Sequence, residues 1–442
     1  MSQGRPASLP SRIPPPSVPL SFLAAAALGL VACGVALIWT RAYGVVDPTD
    51  DRVVGAAHFA MLATLSMGVL GAIHQFTPVI TQRPVRSVRI SRATFLGWLA
   101  GAWLLPLGFA TEQERVVEAG GAFAAVAVVL LVVNVSAPLS VRGKGASVTG
   151  LRFAVIGFVA TACFGVVYVI DRQQNWFDLS GHVVLAHTAV GLFGWLGLAY
   201  ISVSEKLLPM FLLAHVPDQR RSGWLAVSAV PIGVLLLSPG LLFGVVWLAW
   251  CGAAVLALGL GAHLVTVMTH IRYRRRRADL HLLFVMTSAV WLVVGASLAL
   301  AADLTLGRHH HAGVALAAAA VTSFVGWLLV ALVGYAHKVV PFIVWSALRG
   351  RGIKKKADGT PLMFADLYDH RWAGIVYGLV TAGIAAVCVG FATSTSIAIA
   401  IGGVLLAVTG LCVAVNLSLR PIRLLRAPRA DRVARTERPI PL

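Results

Sequence analysis

Twelve runs of apolar residues, each roughly 20 long, occupy most of this 442-residue chain, and no soluble core could bury so many. They lie near 20–40, 53–80, 93–111, 119–139, 149–170, 182–208, 223–243, 245–269, 280–302, 313–343, 371–392 and 395–418. In hydrocarbon every backbone N–H and C=O must find its partner within the protein, which an α-helix does alone. Composition agrees with that reading: 12% of residues are charged, against about 25% in a soluble domain. The expected fold class is therefore all-α, a polytopic membrane protein of about 12 transmembrane helices.

Where the charge sits tests that count. The net charge of +19 could suit nucleic acid, but the basic residues gather in alternate loops rather than on a water-facing surface. One set of loops holds Arg83, Arg86, Arg89 and Arg92, then Arg142, Lys144 and Arg152, then Lys206, Arg220 and Arg221. The same set continues with Arg272 and Arg274 to Arg277, then Arg349, Arg351 and Lys354 to Lys356. The intervening loops carry Asp47, Asp50, Asp51, Glu112, Glu114, Glu118, Asp171, Asp178 and Asp303. By the positive-inside rule the basic loops and both termini face the cytoplasm, as in a bacterial-type cytoplasmic (inner) membrane, with the lipid bilayer as partner and no nucleic acid.

Little chain remains outside the spans. Residues 1–19, rich in Pro and Ser without an apolar core, read as a disordered cytoplasmic lead rather than a signal peptide. The twelve-helix domain covers 20–418, its largest loop (346–370) is too short to fold alone, and 419–442 form a basic tail suited to anionic lipid. Any chemistry must therefore lie within the helices or at their ends. The sequence holds no GxSxG, P-loop or HExxH. The five cysteines all sit in apolar runs without a CxxC pair, as small packing residues do.

Three of the spans repeat one another. The second (AHFAMLATLSMGVLGAIHQFTPVI), the sixth (AHTAVGLFGWLGLAYISVSEKLLPMF) and the tenth (ending VGWLLVALVGYAHKVVPFI) each close on a proline, Pro78, Pro209 and Pro341. The prolines are 209−78 = 131 and 341−209 = 132 residues apart. Gly71, His74 and Pro78 recur as Gly334, His337 and Pro341, and Gly194-Trp195 recurs as Gly326-Trp327. A shared motif at every fourth helix implies three four-helix pseudo-repeats.

Three units of four helices, with histidines near the outer ends of the second and sixth, resemble the heme-copper oxidase subunit I superfamily, and within it the nitric-oxide-response (NnrS-like) and other degenerate members. The resemblance is architectural over most of the chain and specific only in the three segments just quoted. It implies that His58 is an axial ligand of a low-spin heme and that His187 occupies the place of a copper-ligating histidine. It also implies a redox partner or oxidase subunits nearby. The chain departs from the pattern where SGWLAVSAVPIGVLLLSPG has no His-His pair and VALAAAAVTSFVGW has no membrane-embedded His-x-His. A complete binuclear centre cannot be assembled, so a terminal oxidase is not expected. What is left is a membrane heme protein, with copper as a further cofactor, in nitric oxide handling, electron transfer or respiratory-chain support. A transporter for copper or a small solute is the alternative.

Residue by residue, the histidines divide. An imidazole inside a membrane marks function unless a neighbour pairs with it, and iron or copper rewards its neutral nitrogen. For His58 and His187 both a ligand role and a helix-packing hydrogen bond are open. Gly191 and Gly194 leave room beside His187 for a flat macrocycle or a close helix. His74 and His337 each precede a proline by four residues, so their expected role is to satisfy the carbonyl that proline leaves free. Glu205 stands at the equivalent position in the sixth span, beside Lys206, where an ion pair is expected. His182 reads as a rim residue, and His263, His270 and His281 as interfacial anchors. The run His309, His310 and His311 is a candidate for collecting Cu²⁺ or Zn²⁺, although adjacent residues rarely chelate one ion.

Overall fold

The computed structural model describes residues 14–425 except 144, 175, 178–181, 217–219 and 357–358. It contains 12 helices long and apolar enough to cross a membrane. These are α1 (Ser17–Val46), α2 (Asp51–Thr81), α3 (Val88–Ala110), α4 (Glu114–Leu139), α5 (Gly145–Arg172), α6 (Val183–Leu212), α7 (Arg221–Leu242), α8 (Val246–Arg272), α9 (Leu280–Leu306), α10 (His310–Gly350), α11 (His370–Ala392) and α12 (Ser396–Ser418). Among the described residues there is no strand, only an isolated bridge between Lys355 and Pro361.

Several helices outrun their apolar cores. α1 begins at Ser17, within the lead expected to be disordered, because Val18 and Pro19 are buried in its first turn, where proline is tolerated; residues 1–13 lie outside the described part. The last helix continues to Leu425, while 426–442 lie outside it. α10 has 41 residues and so spans about 62 Å, twice a hydrocarbon core. It takes over the first residues of the expected 346–370 loop. Beyond it Leu348, Leu362 and Leu367 form a small cluster of their own, and the Trp345 indole donates to Leu362 O at 2.7 Å. The turn between α7 and α8 depends on Gly244, whose φ of +65° suits a residue without a β-carbon.

The helices pack as three units. In each, the second helix lies against the first and third, and the third pairs with the fourth. α12 closes on α1 and α4 meets α5, but α8 and α9, the corresponding join, scarcely touch. The repeated helices α2, α6 and α10 meet along the centre. Their facing residues fall into layers at the spacing of the repeat: Leu65, Leu196 and Leu328; Val69, Tyr200 and Leu332; Ala72, Val203 and Tyr335; Phe76, Leu207 and Val339. Each layer keeps the separations 196−65 = 131 and 328−196 = 132. These layers line a cavity of about 80 Å³ on the pseudo-threefold axis.

The tryptophans follow the same rotation. The Trp195 indole of α6 donates to Ser66 Oγ of α2 at 3.0 Å. Trp327 of α10 lies against Gly197 of α6, where a β-carbon would come within 3.0 Å of its ring. Ser66 and Gly197 are themselves 131 residues apart (197−66). Two helices also share an irregularity. α2 widens to a π-helix over Phe59–Ser66 and α6 over Val190–Gly197, again offset by 190−59 = 131. α10 has no such segment. π segments leave backbone groups to be met by other helices, and the Trp98 indole of α3 donates to Leu62 O at 3.2 Å. They concentrate at functional sites.

Candidate functional site

Both π segments begin just after a histidine. His58 is the last residue before the first, and His187 lies three before the second (190−187). His58 Nδ1 is 2.8 Å from Val54 O. A carbonyl can only accept, so Nδ1 carries the proton and Nε2 keeps its lone pair. The ring stacks on Phe109 of α3, with centroids 5.3 Å apart and planes at 22°. Among the described residues nothing bonds Nε2, and the side chain is half-buried. His187, also half-buried, bonds no described residue through either nitrogen, and its Nδ1 is enclosed without a partner. Phe164 of α5 meets its ring edge-on at 5.4 Å.

The space beside His187 is taken by a helix. A β-carbon on Gly157 of α5 would run into Gly194 O, and one on Gly191 would lie 3.2 Å from Thr161. Small residues there admit α5. Above the site, ion pairs tie the acidic ends of the helices together. Arg172 holds Asp51 through two contacts of 2.9 and 2.8 Å, and Arg52 reaches Glu112 at 2.7 Å.

His74 and His337 are built differently. Each Nδ1 lies 2.8 Å from the carbonyl one turn back, Leu70 O and Val333 O. The carbonyl they satisfy is thus one turn before the position proline frees, contrary to expectation, because a helical side chain points toward the N-terminus. Each ring stacks on a phenylalanine from the first helix of its unit, Phe22 at 5.2 Å and Phe284 at 6.0 Å. The motif glycine makes this possible: a β-carbon on Gly71 would come within 2.8 Å of Phe22 Cβ, and one on Gly334 would collide with Phe284 Cβ. The repeated Gly-x-x-His is a packing device.

At the basic end the structure overturns the interfacial reading. His263 and His281 are 2% and 4% exposed, and His270 is fully buried. His281 meets Tyr335 edge-on at 4.9 Å, Tyr335 lies 6.2 Å from Tyr200, and Tyr200 lies 5.4 Å from His263. His263 Nδ1, His281 Nε2, Tyr335 Oη and Glu205 Oε1 are enclosed without partners. Glu205 makes no ion pair with Lys206 and instead packs against Gly223 of α7. Hydropathy could not reveal this cluster, because its residues come from α6, α8, α9 and α10 and meet only through the packing of those helices. Beneath it Lys338, also buried, pairs with Asp279. Burial disfavours the Asp279 charge, but the Lys338 ammonium outweighs this and holds the carboxyl below its usual range. In the following loop, burial and then the Asp279 charge push the Tyr368 phenol up to about 12. Tyr368 closes over His337 at 6.0 Å.

His309 stands just before α10 without a capping side-chain bond, and His310 and His311 occupy its first turn, all exposed. Their neighbouring rings are 6.0 Å apart at 71°. Among the described residues no three His, Cys, Asp or Glu side chains gather as a metal site, this run included. His182 is exposed, as a rim residue should be.

No family model matches the chain, and no curated protein matches it. The fold by itself defines the class: an all-α integral membrane protein of twelve spans in three pseudo-repeats, lying in a lipid bilayer.

Proposed function

We propose that this is an integral membrane heme-binding protein related to heme-copper oxidase subunit I, without a complete binuclear centre. It serves nitric oxide handling, electron transfer or respiratory-chain support, from an inner membrane with the basic loops and both termini in the cytoplasm. The carrying observation is His58, whose Nδ1–H is held by Val54 O while no described residue bonds Nε2; on α6 a second imidazole, His187, is likewise uncommitted among the described residues. A backbone carbonyl on one imidazole nitrogen is the usual way a protein orients the other toward a metal.

The donor set suits heme better than a protein-only copper site. Heme iron needs one or two axial ligands from the protein, and two imidazoles are what this end of the bundle offers. A bound heme would supply one-electron chemistry; the chain's part is to orient His58, to shield it with Phe109 and to close the end with the Arg52 and Arg172 ion pairs. Copper alone would call for further ligands. At His309–His311 it would have exposed, splayed rings. The test is a reduced-minus-oxidised absorption spectrum with metal analysis on protein from heme-replete cells. Bands lost in His58→Ala support the reading; a colourless, metal-free wild-type preparation removes it.

A second reading, a transporter for copper or a small solute, is favoured by the enclosed cluster of Glu205, His263, His281 and Tyr335. Ionisable groups enclosed in a membrane with a polar atom left unbonded mark solute or proton paths. Uptake into vesicles that survives without heme and fails in Glu205→Gln would favour it.

A further inference from the structure

The axial cavity touches neither His58 nor His187, and heme binding does not require it. We propose that it is a dry site for one uncharged, apolar molecule of two or three heavy atoms, taken from the lipid phase. Three observations lead there.

First, its walls are carbon. Leu65, Leu196, Leu328, Val69 and Leu332 face it, and the surface exposed to it is almost entirely apolar. Ser204 donates to Ile201 O at 2.9 Å, and Gln75 Oε1 and Tyr335 Oη are enclosed by protein. A water needs two to four polar partners to stay in such a place, and this cavity does not offer them. Second, its size is selective. About 80 Å³ is roughly half of a dry cavity that accepts benzene, about 150 Å³, so a diatomic molecule or a xenon atom fits, and the cavity is partly open rather than sealed. Third, the void is built by symmetry. Gly68 and Ala199 stand at equivalent positions (199−68 = 131), and both line it. A β-carbon on Gly68 would come within 2.8 Å of the Leu332 methyl groups, so the glycine seats Leu332 against this space.

Xenon is the probe. Crystals of the wild-type protein pressurised with xenon are expected to give an anomalous peak on the axis, between Val69, Tyr200 and Leu332. Ala199→Leu, which fills the space, should abolish that peak. Leu332→Ala should raise its occupancy and admit benzene as well, so the test stands even if the filled variant fails to fold. The proposal is overturned by an axis without xenon in the wild type. Density for a water bonded to Gln75 or Tyr335 that xenon does not displace overturns it equally, as does a peak that persists in Ala199→Leu. None of these outcomes bears on the heme spectrum, so the two proposals fail separately.

Discussion

His58 and His74 lie on the same helix, 16 residues apart (74−58), and the protein treats them in opposite ways. Both give Nδ1 to the carbonyl four residues back. His74 is then sealed, 0% exposed, under Phe22. His58 is left half-buried, with Nε2 bonded by no described residue, beside the start of a π segment. The difference lies in what the neighbouring helices present. A phenylalanine stacks on each ring at nearly the same distance, Phe22 of α1 at 5.2 Å and Phe109 of α3 at 5.3 Å; at the basic end the packing closes over the rest of the ring, and at the acidic end it does not. Intramembrane histidine is thus not one signal but two, separated by access to the second nitrogen.

The comparison can be broken most decisively by spectra. His58→Ala should abolish heme absorbance, whereas His74→Ala should lower thermal stability and leave band positions unchanged. Equal loss of absorbance in both variants would dissolve the distinction. Next in size, Phe284→Ala should destabilise by about 3–5 kcal/mol, since it removes both a buried ring and the stack on His337. Gly334→Ala should cost about 1–3 kcal/mol by overpacking, and more than Gly71→Ala, because its β-carbon meets Phe284 more closely than the other meets Phe22. Denaturation midpoints in detergent measure all three.

Smaller effects sharpen the contrast. Trp195→Phe removes the donor to Ser66 and should cost about 1 kcal/mol, without the spectral change expected of His58→Ala. At the basic end, the Asp279 carboxyl is held below its usual range, so the folded state binds its proton less readily than the unfolded chain. The stability this contributes is present above the ordinary carboxylate pKa of about 4 and is lost as pH falls through the lowered value. Lys338→Met should therefore destabilise at pH 7, and the gap to wild type should close in acid; a gap independent of pH would contradict the pairing. Smallest of all, Arg172→Ala breaks an ion pair of which both sides are partly exposed, and about 0–1 kcal/mol is expected.

Much of this architecture was legible in the chain. Twelve apolar runs correspond one to one with twelve helices, because length and hydropathy are local properties that the bilayer reads directly. The repeat was legible from three prolines and two Gly-Trp pairs, and the same offsets recur in the axial layers and in the positions of the π segments. The Gly-x-x-His motif was visible too, but its meaning was not: proline drew attention to the wrong carbonyl, while the true partner of each ring, Phe22 or Phe284, lies some 52 residues away (74−22).

What only the tertiary structure decided was direction. Whether His263, His270 and His281 look into lipid headgroups or into protein depends on how α8 and α9 are rotated against α6 and α10, which the apolar runs do not record. The pairing of Asp279 with Lys338, the freedom of His58 Nε2 and the void on the axis have the same origin. A sequence specifies which segments enter a membrane because each residue's transfer energy is its own; it specifies which faces meet only through contacts between residues far apart in the chain.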